Sequence, residues 1–206
     1  MLYLSGAIRP ELPGLNVGYM LTPMMGNRPD LTGVVYAIDT GCFAQPQAYS
    51  DGWYLDYLAE LAPARKTCLF ATAPDVVGDA AATLARSAPV LPKVRAAGYP
   101  AALVAQDGLE DLGVPWDALD CLFVGGTTAW KLSEAAFALV REAKARGKWV
   151  HAGRVNSLRR LRTMEQAGCD SADGTFLKYG PDKNLPRLRE WLRDVRERPH
   201  LNLWGE

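Results

Sequence analysis

Apolar residues in this chain come in short runs of three to seven, most of them ending at a polar residue or a glycine. Leu2-Tyr3-Leu4-Ser5-Gly6 reads as a first strand and Leu15-Asn16-Val17-Gly18-Tyr19-Met20-Leu21 as a second. Pro10, Pro13 and Gly14 lie between them, a connection too short for a crossover helix. Thr22 to Gly33, with Pro23, Gly26, Asn27 and Pro29, reads as an irregular loop into a third strand, Val34-Val35-Tyr36-Ala37-Ile38, which ends at Asp39. The fourth run, Cys68-Leu69-Phe70-Ala71-Thr72, leads to Asp75, and the fifth, Ala101-Ala102-Leu103-Val104-Ala105, ends at Gln106. A sixth, Cys121-Leu122-Phe123-Val124, ends at Gly125-Gly126, and Lys148-Trp149-Val150-His151-Ala152 makes a seventh. The eighth is the short stretch from Ala167 to Thr175, which carries Asp170 and Asp173 just before Gly174.

From the third strand onward the spacing between runs turns helical. Trp53, Tyr54, Tyr57, Leu58 and Leu61 share one face, with an N-cap near Asp51 and Pro63 closing the segment. Asp79 opens a helix toward Gly98 that Pro89 and Pro92 should kink or break, since each removes a backbone donor. Between strands five and six there is room for a short helix at most. Thr127 or Thr128 caps a helix with Trp130, Leu132, Ala135, Phe137, Leu139 and Val140 on its apolar face, ending at Gly147. Asn156 or Ser157 caps another that runs to Gly168, and Leu185, Leu188, Trp191, Leu192 and Val195 mark a last amphipathic helix closing near Pro199.

Strands alternating with helices predict a parallel sheet with right-handed crossovers. The expected fold is α/β, a small irregular TIM-type (β/α)8 barrel with some crossover helices missing, as a single domain over residues 1–206. The length is short for eight full units. An open doubly wound sheet is the competitor, but no Gly-rich dinucleotide fingerprint, P-loop or Gly-x-Ser-x-Gly elbow is present.

Composition narrows the class without naming a chemistry. Hydrophobic content of 49% and charged content of 22% exclude a disordered chain. No apolar run is long enough to span a membrane and no signal-type segment opens the chain, so the expected location is the cytoplasm. Cys42, Cys68, Cys121 and Cys169 are scattered among apolar segments, the pattern of buried free thiols. With only His151 and His200 beside them, no conventional zinc ligand set exists, and neither a metal nor a cofactor is expected. The net charge of zero hides an asymmetry: Arg141 to Arg198 holds about 15 basic and about 8 acidic residues. One basic face could meet a polyanion, or simply be two solvated helices.

In a parallel barrel the carboxyl ends of the strands converge on one pocket. Asp39 and Asp75 can accept from ring N–H and amino groups, Gln106 can donate and accept, and the Gly125-Gly126 amides can donate to a carbonyl oxygen. A guanine-like edge offers those partners. Asp173 could then attack the adjacent anomeric carbon and form a covalent glycosyl-enzyme, and two displacements would retain configuration. Alternatively, Asp173 caps an Asp-Gly turn. Asp170 reads as structural, Asp107 as the weaker neighbour of Gln106, and His151 as a satisfied core residue rather than a catalyst. Tyr3, Phe43 and Trp130 could sandwich a base, although aromatic residues at such positions usually belong to a core.

Asp39-Thr40-Gly41-Cys42-Phe43 is similar to the Asp-Ser-Gly-Gly-Phe segment of tRNA-guanine (queuine) transglycosylases. Val104-Ala105-Gln106-Asp107-Gly108 resembles their Val-Gln-Gly segment, Leu122-Phe123-Val124-Gly125-Gly126 their Gly-Gly strand end, and Gly168-Cys169-Asp170-Ser171-Ala172-Asp173 their Gly-x-Asp-x-x-Asp segment. The resemblance implies an irregular TIM barrel, base recognition by Asp39, Asp75, Gln106, Gly125 and Gly126, and nucleophilic attack by Asp173, with Asp39 as a second catalytic candidate. Asp75 has the loosest match. The chain is shorter than the tRNA enzymes and lacks their Cys-x-Cys-x-x-Cys zinc segment, and so looks more like the phage and bacterial branch that exchanges guanine in DNA for a 7-deazaguanine base such as preQ0. That implies DNA ahead of tRNA as partner, a host-cytoplasmic location if phage-encoded, and phosphate contacts from Arg154, Arg159, Arg160 and Lys178, with Arg162, Lys183, Arg187 and Arg189 as further candidates. A nucleoside or deoxynucleoside glycosylase and a silent nucleobase- or nucleic-acid-binding protein are the alternatives.

Overall fold

The computed structural model describes residues 1–7, 16–25, 29–43 and 47–197. Eight parallel strands close on themselves in chain order: β1 (Leu2–Ser5), β2 (Val17–Leu21), β3 (Tyr36–Ile38), β4 (Cys68–Thr72), β5 (Ala101–Ala105), β6 (Cys121–Val124), β7 (Trp149–Ala152) and β8 (Ser171–Gly174). The chain is a small TIM-type barrel, and β1 completes it by pairing with both β2 and β8.

Closure follows from strands buried on both faces. Alternate residues point inward, and Leu4, Met20, Ala37, Phe70, Ala102, Val104, Cys121 and Phe123 fill the interior. The intervening residues, among them Tyr3, Tyr19, Leu103, Leu122 and Ala172, pack against the surrounding helices. Gly18 marks the tightest seam: a Cβ there would lie 2.3 Å from the Val35 carbonyl oxygen and 3.0 Å from Leu4 Cδ2. Gly18→Ala is expected to destabilise the protein by about 1–3 kcal/mol, measured by chemical denaturation.

The helices run α1 (Asp51–Glu60), α2 (Ala80–Ser87), α3 (Leu91–Ala96), α4 (Thr128–Lys131), α5 (Glu134–Ala145), α6 (Leu158–Gln166) and α7 (Pro181–Glu197). The cap of α1 is Ser50, whose hydroxyl accepts from Trp53 N–H, one residue before the expected Asp51. Asp79 caps α2 as expected, and the prolines break the segment there: Pro92 sits in the first turn of α3, where its missing N–H is not needed. One expected helix is two, because Ser133 accepts from Ala136 N–H and starts α5 anew after a single turn capped by Thr127. Ser157 caps α6. Strands five and six are joined only by short 3-10 turns at Leu109–Asp111 and Trp116–Ala118.

Among the described residues between β2 and β3 there is no helix, in line with the loop expected there. The connection holding Pro10, Pro13 and Gly14, the loop positions Gly26 and Asn27, and the chain end at Pro199 and His200 lie outside the described residues. All four cysteines are buried and free. No described helix is long and apolar enough to cross a membrane.

Candidate active site

The carboxyl ends of the strands surround a cavity of about 160 Å³ lined by Asp39, Asp75, Gln106, Gly125, Arg154 and Asp173, with Phe43, Val77, Val104, Phe123 and Gly153 supplying the apolar wall. Five of the six catalytic and base-binding residues expected from the sequence, all but Gly126, therefore line one space.

Gln106 organises its floor. The side chain is 1% exposed. Its carbonyl oxygen accepts from the amides of Gly78 and Gly126, each at 2.9 Å, and its amide donates to Asp75 Oδ2 at 2.6 Å. The other Asp75 oxygen accepts from Cys42 Sγ at 3.3 Å. Asp39 Oδ1 accepts from Gly41 N–H at 2.6 Å in a tight turn with φ of +70° at the glycine. Burial, with the nearby charges of Asp75 and Asp173, pushes the Asp39 carboxyl up to about 6, against the lowering exerted by its hydrogen bond from Gly41 N–H.

The glycine pair differs from its expected role. Gly125 N–H donates to Ala105 O at 3.0 Å and Gly126 N–H to Gln106, so both amides already have protein acceptors. The reason for glycine is clearance: a Cβ at Gly125 would lie 2.6 Å from Val104 Cγ1, and one at Gly126, where φ is +62°, 2.4 Å from Trp130 Cε3. Asp107 accepts from both the amide and the hydroxyl of Thr127 at the start of α4, which accounts for it structurally. Asp170 pairs with Lys144 and accepts from Val150 N–H, on the outside of the barrel.

Asp173 stands at the opposite wall. Its Oδ1 accepts from His151 Nε2–H at 3.1 Å and from Arg154 N–H at 3.3 Å, while Oδ2 has no hydrogen-bond partner among the described residues. Arg154 adopts φ of +59°, a left-handed backbone that L residues rarely take, and this turns its amide toward the carboxylate. His151, Asp173 and Ser171 repeat the residue types of a hydrolase triad, yet Ser171 is fully buried below the cavity and does not line it. Phe43 is 65% exposed at the mouth, whereas Tyr3 and Trp130 belong to the core.

Sequence reasoning missed Lys131. It is 6% exposed, its ammonium donates to Gly153 O, and burial with the nearby charge of Arg154 pushes it down to about 8. It shares a recess beside the cavity with Arg154 and Arg160. The sequence held no signal for it: Lys131 follows Trp130 as a surface lysine would, next to the exposed Leu132. Arg159, in the first turn of α6, and Lys178, just after β8, are exposed on the same end of the barrel. Arg162 is not available as a phosphate contact, because it makes a two-pronged pair with Asp194 at 2.7 Å that ties α6 to α7. Arg187 lies over the Phe176 ring. Among the described residues, no group of three or more His, Cys, Asp or Glu side chains is placed to hold a metal ion.

No family model matches this chain, and neither does any curated protein. Among solved structures, a cube-shaped, highly porous protein cage designed by fusing symmetric oligomeric domains superposes with a TM-score of 0.54 at 14% identity, over 95% of this chain and 71% of that one. Klebsiella pneumoniae BlrP1, in a calcium and cy-diGMP complex, gives 0.42 at 19% identity, over 69% of this chain and 38% of that one. Bacillus subtilis YkuI, with an EAL domain and in complex with c-di-GMP and calcium, gives 0.43 at 11% identity, over 80% of this chain and 44% of that one. At these identities the likeness is one of fold and says nothing of activity.

The raised Asp39 carboxyl has a measurable consequence. Between its unfolded value of 3.8 and its folded value of about 6 the native state holds a proton that the unfolded chain has lost. Stability should therefore fall as pH rises through this window, by an amount on the order of 3 kcal/mol. Asp39→Asn is expected to flatten that part of the stability–pH curve in denaturation experiments, and parallel curves for the two proteins would count against the assignment.

Proposed function

We propose that the protein is a base-exchange transglycosylase that replaces guanine in a nucleic acid, with DNA as the preferred substrate, by a 7-deazaguanine base of the preQ0 type. The observation that carries this reading is a small cavity with an acceptor-rich floor on one side and, on the other, a carboxylate oxygen without a partner among the described residues. Asp39 and Asp75 suit the N–H and amino donors of a guanine edge, and the second N–H of the Gln106 amide suits its carbonyl oxygen. A space of about 160 Å³ suits one fused bicycle. Phe43 offers a stacking face at the mouth.

Asp173 Oδ2 would attack the anomeric carbon as the base leaves, and Asp39, held near neutrality, would supply the proton the departing base takes up. A target in duplex DNA has to be flipped out of its stack, at a cost of a few kcal/mol. Arg154 and Arg160, beside the cavity, with Arg159 and Lys178 on the same end of the barrel, would hold the flanking phosphates. The resemblance of four ordered motifs to the transglycosylases supports the same chemistry.

The test is incubation of the protein with guanine-containing DNA, and in parallel with tRNA, plus radiolabelled 7-deazaguanine base or guanine. Label is expected in DNA. Label in tRNA alone would overturn the DNA preference. Release of guanine without incorporation would make water the acceptor and the protein a glycosylase, and base binding with neither reaction would make it a binding protein.

A further inference from the structure

Behind Asp173 a chain of hydrogen bonds runs down into the barrel. Residues two apart on a strand share a face, so Trp149 and His151 on β7 and Ser171 and Asp173 on β8 all point inward, and the register sets His151 opposite Ser171. Trp149 Nε1–H donates to Ser171 Oγ at 2.8 Å, Ser171 Oγ lies 2.8 Å from His151 Nδ1, and His151 Nε2 lies 3.1 Å from Asp173 Oδ1. His151 and Ser171 are both 0% exposed, and the rings of Phe70 and Phe123 stand 5.0 and 4.6 Å from the imidazole.

One assignment of protons satisfies the whole chain. A carboxylate oxygen only accepts, so Nε2 carries the proton. Burial disfavours the imidazolium, so Nδ1 is bare and accepts from the Ser171 hydroxyl, which in turn accepts from the Trp149 indole. An apolar side chain would fill the same space between two phenylalanines, so packing alone does not call for a histidine. The polar chain ends at a single atom, Asp173 Oδ1, and leaves Oδ2 without a hydrogen-bond partner among the described residues.

We propose that His151 is the positioning residue for glycosyl transfer, acting through Asp173, with Ser171 and Trp149 fixing its tautomer. This rests on the transglycosylase reading above. In the first displacement the bond from Asp173 Oδ2 to the anomeric carbon forms as the carbon–nitrogen bond breaks. The electron pair leaves with the base, which takes a proton from Asp39. In the second, the glycosidic nitrogen of the incoming base attacks the same carbon and its proton returns to Asp39, while the pair of the ester bond returns to Asp173. Negative charge reappears on Asp173 in that second step, and His151 Nε2–H is the donor that meets it. The histidine therefore favours breakdown of the covalent intermediate over its formation.

Two measurements test this. In uniformly ¹⁵N-histidine-labelled protein carrying His200→Gln, the His151 nitrogens are expected to show a protonated Nε2 and a bare Nδ1 without any substrate. Ser171→Ala is expected to disturb that pattern, and a protonated Nδ1 in the parent protein would overturn the proposal. In base exchange, His151→Phe is expected to lower turnover by about 10- to 100-fold, with KM for the incoming base little changed. Trapping by rapid denaturation should find more glycosyl-enzyme at steady state than in the parent. His151→Gln, which keeps an N–H at the Nε2 position, is expected to restore most of the turnover. Equal loss of adduct formation and breakdown, or equal defects in the Phe and Gln variants, would reduce His151 to a packing residue. Absence of exchange by the parent protein would overturn the functional reading itself, whereas exchange by the parent with an unimpaired His151→Phe would overturn the positioning role alone.

Discussion

Asp173→Asn is expected to lower base exchange by roughly 10⁴-fold or more, because removing a nucleophile removes the covalent route as a whole. The substitution is nearly isosteric. The amide can keep its oxygen toward His151 Nε2–H and Arg154 N–H, which hold Oδ1 at 3.1 and 3.3 Å, so the fold should survive. What it loses is the second carboxylate oxygen, the one without a partner among the described residues. The informative comparison is therefore between activity and binding in the same variant. Label transfer into DNA should vanish and no covalent adduct should be trapped, while the free base still binds, since Asp39, Asp75 and Gln106 are untouched. An Asp173→Asn protein that still transfers label would sink the covalent mechanism, and the acid on the other side of the cavity, Asp39, would become the residue to examine.

Gln106→Leu should have the largest effect on the site as an assembled object. One buried amide holds Gly78 N–H, Gly126 N–H and Asp75 Oδ2, so leucine strands two donors and a carboxylate oxygen at once. A loss of about 3–5 kcal/mol of folding stability is expected, together with loss of base binding, measured by denaturant unfolding and by calorimetric titration with the free base. Gln106→Glu separates the two consequences. It sets a second carboxyl where an amide donated to Asp75 at 2.6 Å, and two such groups cannot both ionise. Base binding by Gln106→Glu is expected to be weak at neutral pH and to recover as the pH falls and the pair shares a proton. PH-independent binding would show that the Gln106 amide does not shape the floor.

Much of the barrel was legible because runs of apolar residues ended by polar ones are a local signal. All eight strands lie within the expected runs, and the strand ends that carry Asp39, Asp75, Gln106 and Asp173 do converge. Prolines and caps carried the breaks in the helices for the same reason: Pro92 acts on its own N–H, and Asp79 on an amide three residues ahead. Ser133 was passed over because nothing in the spacing of Trp130, Leu132, Ala135 and Phe137 shows that one hydroxyl will end a helix and start the next.

What was not legible depends on which groups meet across the barrel. The Gly125-Gly126 amides looked available as donors, and only the fold reveals that the Ala105 carbonyl and the Gln106 side chain take them. Arg162 looked free until α7 brought Asp194 to it. Lys131 drew no notice in the sequence, and only the fold shows it buried with its ammonium on the Gly153 carbonyl. His151 is the clearest case. Its strand is apolar and its own neighbours are Val150 and Ala152, so sequence reads it as core, and it is core; but the register of β7 on β8 also lays it against Asp173. The sequence by itself determined which runs are strands, the residue types at each strand end and a parallel arrangement with helical crossovers, because these follow from the period of burial along a chain, whereas strand order and closure into a barrel came from the fold. The tertiary structure alone decided which donors are already spent, which charges are buried and which oxygen of Asp173 is already hydrogen-bonded, because each of those is a contact between residues tens of positions apart.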